Sequence, residues 1–185
     1  MPCFERRRSL QRLTVCALFA ALTCVLSPIS LPIGPIPVSL GLLGVLLTAV
    51  CLPPVLSLTS VAVYVAIGLC GLPVFGGALG GAMVLVGPTG GYLWAYLPVA
   101  AVVSLLKNGK STVFKRQALR AFFACLCGVL ICYACGTLQY ILLTGTPVLS
   151  ALSVCVIPFL PFDLLKAILA ALLGVRLSAL LAKSR

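Results

Sequence analysis

Histidine is missing from this 185-residue chain, and acidic residues are nearly so: Glu5 and Asp163 are the only two, against thirteen lysines and arginines. Without histidine, and with one carboxylate far from the termini, neither an acid/base pair nor a catalytic triad can be assembled. Charge of any sign is scarce as well. Only 8% of residues are charged, and residues 13–106 and 121–162 contain no Asp, Glu, Lys or Arg, whereas soluble domains carry about 25%. Each uncharged run is too long for one buried core helix, since a single bilayer span needs only ~20 apolar residues.

What fills these runs is apolar: 62% of the chain is hydrophobic and the mean hydropathy is +1.26. The expected fold is therefore an all-α integral membrane protein. Proline, glycine and charge divide it into six spans, near 13–27, 39–52, 55–72, 92–106, 120–143 and 161–182. Residues 1–185 form a single membrane domain on this reading, with a basic tail over residues 1–12. An apolar run after Arg6–Arg8 also fits a signal peptide, but no convincing cleavage site follows, and an uncleaved first helix is expected.

The net charge of +11 does not form a nucleic-acid face. Basic residues cluster instead at the edges of apolar runs: Arg6, Arg7, Arg8 and Arg12; Lys107, Lys110, Lys115, Arg116 and Arg120; Lys183 and Arg185. With six spans, all three clusters and both termini fall on one side, the cytoplasmic side by the positive-inside rule. Five or seven spans would strand one cluster outside.

Ten cysteines would mean a disulfide framework in a small secreted chain. Here they lie in apolar segments, and Cys125, Cys132 and Cys135 share a helical stripe with Gly128. With no histidine and no fourth ligand there, close helix packing is the expected role, and no metal or cofactor is expected. Asn108-Gly109-Lys110-Ser111 contains the Gly-Lys-Ser of a phosphate loop, but Ser104 stands where that loop needs its first glycine. ATP hydrolysis, if needed, must come from a partner.

Two connections are rich in turn residues yet apolar. The first holds Pro28, Pro32, Gly34, Pro35 and Pro37; the second holds Pro73, Gly76, Gly77, Gly80, Gly81, Gly87, Pro88, Gly90 and Gly91. Such segments are expected to fold over the bundle as a lid, the alternative being tight turns. On the first span, Ala17 and Ala21 make a smooth i, i+4 stripe that serves packing within the bundle or docking to another subunit equally well.

Asp163 opens the last span in Pro161-Phe162-Asp163-Leu164-Leu165-Lys166. A carboxylate suits the first turn of a helix, and Lys166 lies on the same face. Charges kept inside an apolar segment have a partner or a task. The pair is either a structural ion pair or the polar end of an apolar ligand pocket.

Several blocks then occur in order: Ala17-Leu18-Phe19-Ala20-Ala21-Leu22-Thr23, Ile33-Gly34-Pro35-Ile36-Pro37-Val38, Gly71-Leu72-Pro73-Val74-Phe75, Gly87-Pro88-Thr89-Gly90-Gly91-Tyr92, and Phe159-Leu160-Pro161-Phe162-Asp163-Leu164-Leu165-Lys166. Together they resemble the biotin-specific S component (BioY family) of energy-coupling-factor transporters. The resemblance implies a six-helix, multi-pass subunit of a bacterial cytoplasmic membrane, without enzymatic activity. It would capture biotin for uptake with a transmembrane coupling subunit and two ATP-binding subunits. It also implies docking through Ala17 and Ala21, and substrate binding by Asp163, Lys166, Tyr92, Tyr133, Thr89 and Phe75. Two positions depart from the family: Phe162 replaces the usual glycine before the acid, and Val38-Ser39-Leu40-Gly41 lacks the usual glutamine-containing patch. Alternative functions are a stand-alone proton-coupled vitamin carrier, or an S component for another small vitamin.

Overall fold

The computed structural model describes residues 2–31, 37–107 and 113–183, with side chains over 10–31, 37–107 and 113–181. Eight helices occur among them: α1 Pro2–Leu26, α2 Gly41–Cys51, α3 Pro54–Leu69, α4 Ala82–Val86, α5 Gly90–Leu106, α6 Phe114–Thr144, α7 Val148–Cys155 and α8 Leu160–Lys183. The six longest overlap the six apolar segments in which spans were expected. Helix α1 begins inside the basic tail, and α6 begins at Phe114, taking in Lys115, Arg116 and Arg120 that had marked a connection.

Local chemistry explains the boundaries. Pro53 and Pro54 stop α2 at Leu52 and start α3, where a proline at the first helical position costs no hydrogen bond. Gly145, with φ +67°, ends α6 in the left-handed cap that glycine adopts without strain. Two short helices and a small hairpin go beyond the expected all-helical pattern. In the hairpin, β1 Ser30–Leu31 pairs antiparallel with β2 Val38–Ser39.

Contacts fix the relative directions. Ser27 meets Tyr64 and Cys16 meets Ser60, so α1 and α3 run together. Gly91 lies against Gly136 while Gly128 lies against Val99 and Val103, so α5 and α6 run oppositely. Tyr133 reaches Asp163 and Arg176 lies over Phe114, so α8 also opposes α6. Consequently the end of α5, the start of α6 and the end of α8 lie at one end of the bundle, and Lys107, bonded to Val50 and Leu52, brings the α2–α3 junction to the same end, and with it the starts of α3 and of its parallel neighbour α1.

The core is built from medium and small side chains. Val45, Leu46, Val99, Val103, Cys125 and Ala167 are fully buried. Gly128 receives Val99, Val103 and Leu46, and Gly174 receives Val50, the close helix approach that small residues permit. Buried Thr23 and Thr48 return their hydroxyl protons to the carbonyls of Phe19 and Gly44. The outward faces are apolar too, with Leu130 at 67% and Leu142 at 74% exposure. Apolar inside and out, the bundle suits lipid as its solvent. By length and apolarity, α6 and the Leu160–Leu181 part of α8 can each cross a bilayer; the other four long helices offer shorter apolar stretches.

Lys107, the first residue of the second basic cluster, turns inward: it is half-buried and donates to the carbonyls of Val50 and Leu52, which the Pro53-Pro54 break leaves without helical partners.

Candidate binding pocket

At the end of the bundle away from Lys107, the first two turns of α8 present Asp163 and Lys166 inward, 3% and 5% exposed. Lys166 Nζ donates to Asp163 Oδ1 at 2.7 Å and to the Ser39 carbonyl at 2.7 Å. Tyr133 OH donates to Asp163 Oδ2 at 2.8 Å. Both carboxylate oxygens are thus occupied, and α8, α6 and β2 are tied at one point. A buried pair of this kind depends on further hydrogen bonds to offset its desolvation, and this one has them from Tyr133 and to the Ser39 carbonyl, beside open space.

That space is a cavity partly open to solvent. Asp163, Lys166 and Tyr133 form its polar end, while Phe75, Tyr92, Tyr96 and Phe159 supply aromatic walls. Tyr92 and Phe159 stack with centroids 6.4 Å apart, and Tyr92 OH donates to the Cys155 carbonyl at 3.1 Å. Phe75 is fully buried and meets Tyr64 edge-on at 5.8 Å. Gly68 makes room for it: a side chain there would overlap the Phe75 ring. Likewise the Tyr92 ring occupies the place a Gly136 side chain would fill. These glycines bring aromatic rings from separate helices to one cavity.

All six residues expected to bind substrate line this cavity: Asp163, Lys166, Tyr92, Tyr133, Thr89 and Phe75. The glycine-rich connection reaches it through Phe75, Gly76, Val84 and Thr89, which favours a lid over simple tight turns. Pro37 and Ser39 bring in the first connection, whose residues 32–36 lie outside the described residues. The phosphate-loop resemblance at 108–111 lies outside them as well.

Sequence reasoning missed Ser39, Leu42, Val84, Leu93, Tyr96, Cys132 and Phe159. Tyr96 carried a signal, one helical turn after Tyr92 on the same face. Ser39 carried none, because it contributes a backbone carbonyl. Of the two departures, Phe162 is half-buried and off the cavity wall. Gly41 packs so tightly that a Cβ would lie 2.7 Å from Ser27 Oγ and 3.0 Å from Tyr96 OH, so a larger residue there requires its neighbours to shift.

On α1, Ala17 and Ala21 are exposed whereas Phe19 and Ala20 are buried, so the small-residue stripe faces away from the bundle. Cys125 and Cys132 are buried in the core, Cys132 also touching the cavity.

The sequence matches the profile of the BioY family over residues 4–183. It is 38% identical to the biotin transporter BioY of Thermotoga maritima, over 92% of this chain and 98% of the relative. It is 36% identical to the biotin transporter BioY2 of Lactococcus lactis subsp. cremoris, over 91% and 90%. The fold superposes on the crystal structure of the S-component for biotin from an ECF-type ABC transporter with a TM-score of 0.83, at 29% identity, covering 94% of this chain and 93% of that one. These relatives are membrane transporters, not enzymes.

Proposed function

Since the chain belongs to the BioY family, we propose that it is a substrate-binding membrane subunit that captures biotin from outside the cell for ATP-driven uptake. The observation that carries this is the buried Asp163–Lys166 pair closing one end of an aromatic cavity. Biotin's fused ring presents two ureido N–H donors and a carbonyl acceptor, and its tail ends in a carboxylate. Asp163 accepts from the ring N–H groups, Lys166 donates to an acceptor end of the ligand, and Tyr92, Phe75 and Phe159 cover the apolar body. Tyr133 orients the carboxylate, and Thr89 closes the cavity from the lid.

The remaining architecture follows from the same reading. Residues 1–185 act as one membrane domain whose six long helices cross a bacterial cytoplasmic membrane, with both termini and the basic clusters inside and the cavity toward the outside. The short apolar helices suit tilted crossings, completed by irregular segments buried against protein. A transmembrane coupling subunit docks on the outward Ala17–Ala21 stripe, and two ATP-binding subunits supply the energy.

Biotin added to detergent-purified protein raises its melting temperature by mass action. Asp163→Asn and Lys166→Ala abolish that rise; binding unchanged in both would refute the pocket assignment. A proton-coupled carrier would instead drive biotin into ATPase-free vesicles on a pH gradient alone.

A further inference from the structure

Gln139 lies on α6 six residues beyond Tyr133 and is not part of the cavity wall. Its Nε2 donates to the carbonyls of Leu85 at 2.9 Å and Gly87 at 2.8 Å, spending both amide protons on the end of α4. Helix α4 has five residues, too few to hold together unaided, and its last carbonyls lack helical partners. Of its side chains only Leu85 is buried, while Met83 and Val86 are 82% and 66% exposed. Yet the 82–89 segment supplies Val84 and Thr89 to the cavity. A marginal element therefore carries two pieces of the wall, and one side chain from a long helix pins it. Gly90 makes the attachment possible, since a side chain there would collide with the Leu85 carbonyl and with Gln139 Nε2.

We propose that Gln139 is a positioning residue that latches the 82–89 segment over the cavity and sets how fast biotin enters and leaves, more than how tightly it is held. This inference rests on the biotin reading above. The latch joins α6 to the 82–89 segment through a side chain off the cavity wall, so releasing it lowers the barrier in both directions. Association and dissociation then accelerate together. Losing a ligand contact such as Asp163 acts differently, raising dissociation with little change in association.

The test is exchange of tritiated biotin on the full-length protein in nanodiscs. Gln139→Leu is expected to raise both rate constants by roughly tenfold, with Kd changing less than about threefold. Unchanged rates, or a rise in dissociation alone, would overturn the latch. Should Gln139→Leu not fold, Gln139→Glu keeps the size and polarity but turns a carboxylate toward the two carbonyls; the same paired acceleration is expected and its absence is equally fatal. If wild-type protein binds no biotin, the functional reading fails, and the latch is then judged by hydrogen–deuterium exchange of the 82–89 amides. That exchange must quicken in Gln139→Leu, and an unchanged rate rejects the latch.

Discussion

Two lysines are withdrawn from water in this bundle, one toward each end, and they are held differently. Lys166 meets a carboxylate, a backbone carbonyl and an open cavity. Among the described residues, Lys107 meets two backbone carbonyls at the junction of α2 and α3 and no carboxylate. The second arrangement closes on itself: the ammonium caps a helix end and seals a proline break. In the first, the groups facing the cavity can trade partners for those of a guest. A buried charge in an apolar protein thus marks a binding site when it borders space, and a structural joint when it does not.

Substitutions can break or sharpen this contrast. The largest effect is expected at Asp163: Asp163→Asn leaves Lys166 and Tyr133 without their charged partner, and biotin affinity, measured by titration calorimetry, should fall on the order of 100-fold or more. Tyr133→Phe removes one hydrogen bond to the same carboxylate and should weaken binding by roughly tenfold. Lys107→Met should leave affinity within about twofold of wild type yet lower the melting temperature of the ligand-free protein by on the order of 5 °C, because two carbonyls lose their donor. A large affinity loss in Lys107→Met would erase the distinction between the two lysines. Smallest at the site is the paired change Ala17→Leu and Ala21→Leu, which should not alter biotin binding but should abolish uptake in vesicles that also hold the coupling and ATP-binding subunits proposed above.

The sequence made the long helices readable and left the short elements hidden, for a physical reason. Helices α1, α2, α3, α5, α6 and α8 are apolar runs cut by Pro28, Pro53, Gly71 and Gly145, and turn residues of that kind mark boundaries wherever they fall. Helices α4 and α7 span 5 and 8 residues inside segments already apolar, so no change of periodicity announces them. The start of α6 was misplaced because Lys115, Arg116 and Arg120 resemble a loop in composition while extending the helix past its apolar portion. At the pocket, the charged and aromatic side chains were legible because they are out of place in an apolar chain. The Ser39, Leu85 and Gly87 carbonyls that receive Lys166 and Gln139 were not, since every residue carries the same backbone groups and only the fold selects which are used.

The bond between Asp163 and Lys166 gives the cavity a competitor of its own. A newcomer is exchanged against an interaction that exists without it, so a purely greasy molecule gains nothing at that end, and one bearing a single charge satisfies one residue while orphaning the other. Only a compound offering a donor and an acceptor together leaves neither side worse off. Discrimination against the hydrocarbon tails surrounding the protein is in this way set before any vitamin arrives.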